Sequence, residues 1–169
     1  DIKVYDLTHN IPPFNIWEAS YRLIQTVPYW PEGSVFVSVV DPGVGSSRKS
    51  VVAKTKQGQY IVSPDNGTLT HVKRLIGIEE VREIDEAKCR RENSENSYTF
   101  HGRDVYAYTG AQLASGKLSF EEVGNLLSVE RIVEFDDIPA TLEDGVIRGS
   151  IDILDVRFGS LWTNISRTM

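Results

Sequence analysis

Val35-Phe36-Val37-Ser38-Val39-Val40-Asp41-Pro42-Gly43-Val44-Gly45-Ser46-Ser47-Arg48 is the stretch on which the fold turns. Its first six residues form an almost unbroken β-branched and aromatic run, the pattern of a strand covered on both faces. Asp41-Pro42-Gly43 stops it. A buried strand that empties into a Gly-rich loop points to an open α/β sheet, in which sites form beyond the carboxyl ends of the strands. Towards the N-terminus, Pro31-Glu32-Gly33 is a turn. Ile16, Ala19, Leu23, Ile24 and Val27 recur at helical spacing and predict a helix from about Ile16 until Pro28. Pro12-Pro13 breaks the chain, and Val4 to Leu7 reads as a short strand.

Towards the C-terminus, Ser50 to Lys54 and Tyr60 to Val62 read as strands joined by a hairpin at Gln57-Gly58. Pro64-Asp65-Asn66-Gly67 is a turn. A short helix from Leu69 to Leu75 leads to a strand near Val81 to Ile84. Arg90 to Tyr98 is polar and reads as a loop or a helix end. A helix is expected over Asp104 to Leu113, with Gly116 as its C-cap. From Ile132 the texture changes: Asp136-Asp137-Ile138-Pro139 is a linker candidate, and Val146 to Val156 and Leu161 to Ile165 are strand-like with no helical period. The expected architecture is therefore an α/β sandwich-like domain with a largely parallel sheet over residues 1–136, then a β-rich segment over residues 140–169.

The 169 residues are 40% hydrophobic and 25% charged, which excludes a disordered or low-complexity chain. Eighteen basic and 24 acidic residues give a net charge of −6, which offers no electrostatic footprint for nucleic acid. No apolar run approaches the roughly 18 residues that span a bilayer. With Cys89 as the single cysteine, neither an intrachain disulfide nor a thiolate metal cluster can form, in keeping with a cytoplasmic location. The chain opens at Asp1 and closes near Ile165 in strand-like sequence, which reads as a piece of a larger protein.

Three segments could carry chemistry. Asp41 and Arg48 bracket the Gly-rich loop and could fold back to pair; the plain alternative is a tight turn with a surface ion pair, worth little. The loop lacks the Gly-Lys-Ser/Thr ending of a P-loop. Phe100-His101-Gly102-Arg103-Asp104 enters a helix, where free amides favour an anion or a hydroxide-like oxygen, and His101 suits base or hydrogen-bond work near neutral pH; otherwise His101 merely caps or packs. Asp155 to Asn164 sets an acid beside aromatics around a Gly turn, which could hold an amine and an apolar ring, or be an ordinary hairpin with a core Trp. Asp65-Asn66-Gly67 alone reads as a turn, and His9 and His71 have no evident partner.

In this order, Asp6-Leu7-Thr8-His9-Asn10-Ile11, Asp41-Pro42-Gly43-Val44-Gly45 with Arg48, Pro64-Asp65-Asn66-Gly67, Phe100-His101-Gly102-Arg103-Asp104, and Phe158-Gly159 with Trp162-Thr163-Asn164 resemble one family. It is that of the S-adenosylmethionine hydroxide adenosyltransferases, S-adenosylmethionine hydrolases long filed as a domain of unknown function and related to fluorinating and chlorinating enzymes. The resemblance covers nearly the whole chain. It implies an N-terminal α/β domain followed by a C-terminal β-barrel, of which residues 140–169 would be the beginning. It also implies a homotrimer with sites between subunits, a small-molecule substrate, and no cofactor or metal. The family's catalytic Asp, Arg and His fall on Asp41, Arg48 and His101. The halogenating relatives lack this triad and carry Ser where Gly102 stands. By the same resemblance Phe14 packs beside the ribose, Asp155 holds the methionine amino group, and Phe158 and Trp162 are apolar walls. Ser160 stands where Asn is common, and Tyr108 where Pro is common. The family's opening Thr-Asp-Phe-Gly segment would precede Asp1, and most of the barrel would follow Met169.

The implied reaction is attack of water or hydroxide on the ribose C5′ of S-adenosylmethionine. The leaving group is a neutral thioether, so no general acid is needed; the enzyme must bind the cation and align and polarise a water. Asp41 and His101 are expected to hold that water while Arg48 fixes Asp41 and balances charge. The competing expectations are a non-catalytic adenosine or S-adenosylmethionine binder, a metal-dependent phosphoesterase using Asp41, Asp65 and His101, and an inactive fragment.

Overall fold

The computed structural model describes residues 2–136 and 138–169. Asp1, in the expected opening strand, and Asp137, in the expected linker, lie outside the described residues. The chain divides into two compact units, residues 1–134 and 135–169.

In the first unit, α1 (Ile16–Thr26) starts where the Asn15 side chain accepts from the Glu18 amide, and it runs into a 3₁₀ turn at Val27–Tyr29 containing Pro28. Five strands, β1 (Val35–Val37), β2 (Ser50–Thr55), β3 (Tyr60–Pro64), β4 (Ile78–Glu83) and β5 (Leu126–Leu127), form one sheet in the order β1-β3-β2-β4-β5. The short helix α2 (Thr70–Leu75) links β3 to β4. A π-helical turn at Gly102–Ala107 runs directly into α3 (Tyr108–Ala114).

The sheet is mixed, and the expectation of a largely parallel one is corrected: β1 pairs with β3 in parallel, whereas β2–β3, β2–β4 and β4–β5 are antiparallel. The cause is local. Gly58, at φ 82°, closes a hairpin in which the Thr55 amide donates to Gln59 O, and strands joined so tightly can only run antiparallel. The run Val35–Val40 is strand only to Val37. The Ser38 amide still donates to Val62 O, but the return bond would have to come from Pro64, which has no N–H. Val4 to Leu7 does not form a strand either, and Val4 and Tyr5 are exposed.

Alternation along the strands builds two cores. Val51, Ala53, Ile61 and Phe36 face Leu23 of α1, Val27 of the 3₁₀ turn, Leu69 just before α2 and Val72 within it, while Val52 and Val62 face Val105, Tyr106, Phe120 and Val123 on the other side. Fully burying each such side chain contributes about 1.5–3 kcal/mol. Gly110 lets α3 lie against β1: a Cβ there would sit 2.5 Å from Val37 Cγ2. This packing fixes the strand that leads to Asp41.

The second unit contains two antiparallel hairpins, β6 (Thr141–Glu143) with β7 (Val146–Arg148), and β8 (Ile151–Asp155) with β9 (Ser160–Thr163). Asn164 ties the unit together, accepting from the Ser150 amide and donating to Ile138 O. No helix among the described residues is long and apolar enough to cross a membrane.

Candidate active site

The segment after β1 doubles back through two successive turns, with the Val44 amide donating to Asp41 O and the Ser46 amide to Gly43 O. Arg48 is thereby returned to the side of Asp41, two residues before β2. The approach is close: a Cβ on Gly43 would meet Arg48 Cγ at 3.3 Å. Asn66, in the turn after β3, donates its side-chain amide to Val40 O at 2.9 Å and so pins the residue before Asp41. His101 comes from another part of the chain, immediately ahead of the π-helical turn.

These three side chains meet. Arg48 Nε donates to Asp41 Oδ1 at 2.9 Å and Nη2 to Oδ2 at 2.5 Å, a two-pronged fork. The same Nη2 lies 2.9 Å from His101 Nδ1, and Nη1 donates to Ser50 Oγ at 2.8 Å. Ser50 Oγ lies 3.1 Å from the hydroxyl of fully buried Tyr106, over whose ring the guanidinium rests. The side chains of Arg48, Asp41 and His101 are 10%, 5% and 6% exposed. This is a buried network, not a surface ion pair.

Its electrostatics follow from the burial. Desolvation, reinforced by the cations Arg48 and Arg90 against the carboxylates Glu86 and Asp41, holds the His101 imidazole below its ordinary value, so the ring is neutral near pH 7. Burial is the largest influence on Arg48 and would lower it, but the hydrogen bond it donates to Asp41, together with the charges of Tyr106, Asp41 and Glu86, leaves the guanidinium raised. Burial pushes the Tyr106 phenol well up, so it acts as a neutral hydroxyl. A neutral imidazole has one lone pair, and a guanidinium can only donate. If Arg48 donates to Nδ1, that nitrogen carries no proton.

A profile of the SAM hydroxide adenosyltransferase N-terminal domain matches residues 1–124. The chain belongs to the SAM hydroxide adenosyltransferase family. It is similar to the (R)-S-adenosyl-L-methionine hydrolase of Methanocaldococcus jannaschii, with 39% identity over 172 residues, covering 99% of this chain and 56% of that protein. It is also similar to a fluorinase of Actinoplanes sp., with 32% identity over 190 residues, covering 99% of this chain and 63% of that one. The crystal structure of an uncharacterized conserved protein from Thermotoga maritima superposes with a TM-score of 0.86 at 40% identity, over 96% of this chain and 60% of that chain. The chain thus spans between 56% and 63% of the length of the curated relatives named here.

In this member of the SAM hydroxide adenosyltransferase family, Gly102 opens the π-helical turn beside His101 and faces Val39. Phe14 is 75% exposed, on a left-handed backbone with φ 68°. The other resemblance-derived contacts lie in the second unit. Asp155 is buried at the end of β8 and accepts from the Arg157 amide, while Phe158, Ser160 and Trp162 are exposed on the β8–β9 hairpin, so Trp162 is not a core residue there. Within the first unit a cavity of about 450 Å³ is lined by Leu7, Thr8, His9 and the Val37–Val40 run. It stops one residue short of Asp41, and the triad side chains do not line it. Among the described residues no three His, Cys, Asp or Glu side chains gather as a metal-holding group. Asp65 is engaged elsewhere, accepting from the Val133 amide.

Sequence reasoning missed four groups of the network: Ser50, Tyr106, Glu86 and Arg90. The sequence places Arg90 at the start of a polar loop, yet its side chain is 6% exposed, with Nη2 3.1 Å from His101 Nε2 and 2.5 Å from Glu86 Oε2. The four-residue spacing of Glu86 and Arg90 was the available signal.

Proposed function

We propose that this chain is part of an enzyme that hydrolyses S-adenosyl-L-methionine to adenosine and L-methionine. The observation that carries this reading is the buried Arg48 guanidinium shared between the Asp41 carboxylate and the His101 imidazole, in a chain whose relatives include a hydrolase named for that substrate. A non-catalytic binder has no need of such a network and is not favoured.

The chemistry balances simply. A water oxygen attacks C5′, the C5′–S bond breaks, and its electron pair neutralises the sulfonium, so methionine leaves as a neutral thioether. One proton is released from the attacking water. Asp41 is the group suited to align that water, because each carboxylate oxygen keeps lone pairs beyond the one taken by Arg48. Both His101 ring nitrogens face guanidinium groups, so the role assigned to His101 is altered from direct water contact to anchoring Arg48. Arg48 in turn fixes the carboxylate and offsets its charge.

By the resemblance, Asp155 holds the methionine amino group with Phe158 and Trp162 as apolar walls, Ser160 and Gly102 are substrate contacts, and Phe14 packs beside the ribose. These contacts, like a homotrimer with sites between subunits and a second domain that completes a β-barrel, rest on the family resemblance. S-adenosylmethionine is substrate, and no cofactor or metal has a step. The test is turnover of the full polypeptide in ¹⁸O-water with (R)- and (S)-sulfonium epimers supplied separately. Adenosine labelled at its 5′-hydroxyl is expected; unlabelled adenosine, or none, overturns the reading.

A further inference from the structure

The edge of His101 remote from Arg48 is built as carefully as the edge facing it. Arg90 lies with its guanidinium over the Tyr98 ring, donates to Ser97 O and Glu86, and places Nη2 3.1 Å from His101 Nε2. Glu86 Oε2 lies 3.9 Å from the same ring nitrogen. Two guanidinium groups therefore face opposite nitrogens of one imidazole. Only one of those nitrogens can hold a lone pair in the neutral ring, and neither can in the imidazolium.

Two tautomers compete. With the proton on Nε2, Nδ1 accepts from Arg48 at 2.9 Å; the Nε2–H then faces Arg90 Nη2 at 3.1 Å, with the Glu86 carboxylate 3.9 Å away as its nearest negative charge. With the proton on Nδ1, Nε2 accepts from Arg90, but Nδ1–H then points at Arg48 and the bond that anchors the fork on Asp41 is lost. The Glu86 carboxylate favours the first arrangement. Arg90 keeps Glu86 in place and opposes a second proton on the ring.

We propose that Glu86 and Arg90 are a positioning pair that orients the His101 ring so that its Nδ1 lone pair faces Arg48. The pair completes a chain of alternating groups, Glu86, Arg90, His101, Arg48 and Asp41, in which the first two touch no substrate and act through the others. Calling them positioning residues for turnover rests on the proposed hydrolase reading; the geometry of the ring does not. The charged and titratable groups around His101 are Asp41 and Arg48 from the loop after β1, Glu86 and Arg90 from the segment after β4, Tyr98, and Tyr106 of the π-helical turn.

The two members have different signatures. Arg90→Met removes a cation from the ring, so His101 takes its proton at higher pH and the acid limb of the kcat profile moves up towards the ordinary imidazole value near 6.5. Glu86→Gln removes the charge that selects the tautomer. It lowers kcat by roughly tenfold or more across the whole pH range, with less effect on KM, because misplacing the fork is costly. A merely structural role moves neither the limb nor the tautomer.

The experiment combines kcat and KM from pH 5 to 9 with ¹⁵N titration of the three histidine rings in the full polypeptide. The expected wild-type result is an unprotonated Nδ1 and a protonated Nε2 on His101 at pH 7.5, with an upward shift of its titration in Arg90→Met. If that variant does not fold, Glu86→Gln/Arg90→Met leaves no orphaned charge; because the Glu86 carboxylate raises the ring more than the Arg90 guanidinium lowers it, the titration should then move further below its ordinary value. A wild-type ring protonated on Nδ1, or a titration unmoved in the folded variant, overturns the proposal. If the wild type shows no hydrolysis of S-adenosylmethionine, the functional reading falls, while the ring titration still judges the pair.

Discussion

Among the described residues, two arginine–aspartate forks have nearly the same local geometry. Arg48 reaches Asp41 through Nε and Nη2 at 2.9 and 2.5 Å; Arg103 reaches its neighbour Asp104 through the same two nitrogens at 2.7 and 2.9 Å. What differs is what lies behind each guanidinium. Arg103 is 59% exposed, stacks over Phe100, and ends its hydrogen bonds on Asp104. Arg48 is buried and continues to Ser50 and His101. The hydrogen bond from Arg103 is the chief cause holding the buried Asp104 carboxylate below its usual range, and satisfying that carboxylate is all the second fork needs to do. The lesson is that a fork becomes a candidate for chemistry through a third group that shares the cation, not through the ion pair.

The sharpest way to break the comparison is to treat both forks alike. Asp41→Asn keeps shape but removes the carboxylate that aligns water, and kcat should fall by about 10²–10⁴-fold. Arg48→Lys keeps charge but replaces a planar fork by a point donor that cannot hold two carboxylate oxygens and an imidazole together; a loss of about 10²-fold is expected. Arg103→Lys should leave kcat within about twofold, because the lysine still offers a cation to Asp104 and Arg103 hands its hydrogen bonds on to no third group. Steady-state kinetics on the three variants checks this. Equal losses in Arg48→Lys and Arg103→Lys would show that the forks are not distinct in function.

The parts legible in the sequence were those set by near neighbours. The helix from Ile16, the Gln57-Gly58 hairpin and the polar loop after Arg90 all follow from periodicity and turn chemistry over a few residues. Long-range facts were not legible. Val4 to Leu7 has a strand's composition, but pairing requires a neighbour that no local pattern announces. Sheet direction was misread because a strand apolar on both faces can be buried in a mixed sheet as well as in a parallel one. Asp41, Arg48 and His101 could be named from their motifs, but that they share one guanidinium depends on a loop doubling back and on a helix start 53 residues further on. Arg90 was hidden because a cation in a polar stretch reads as solvated, and only the fold shows it under Tyr98 and against His101.

A smaller effect sharpens the comparison at its third partner. Ser50 accepts from Arg48 and meets the Tyr106 hydroxyl inside the core, a link that Arg103 has no counterpart for. Ser50→Ala leaves both the guanidinium N–H and the buried hydroxyl short of a partner, which should cost about 1–3 kcal/mol of stability. Because the fork to Asp41 and the contact to His101 remain, the fall in kcat should be smaller than that of Arg48→Lys. Chemical denaturation with kinetics on the same sample separates the two. A loss of activity as large as that of Asp41→Asn would move Ser50 from support into the machinery itself.

The smallest expected effect concerns half-buried His71 and buried His101. His71, edge-on to Trp17 and Tyr21 and bonded to Ser20 Oγ, is held below its ordinary value chiefly by burial, with a contribution from Arg74; His101 is lowered by burial, Arg48 and Arg90. For a lowered imidazole the unfolded chain takes up its proton first, at about 6.5. The stability each contributes is therefore complete above that pH and is lost as the pH falls below it, down to the folded value. Thermal unfolding should drop by a few degrees from pH 7.5 to 5.5. Asp65 works in the opposite sense, because burial raises its carboxyl. Comparing wild type with His71→Gln cancels Asp65 and His101 and leaves the His71 share, so the variant should show a shallower acid slope. An identical slope would mean that His71 gains or loses its proton equally in the folded and unfolded chain.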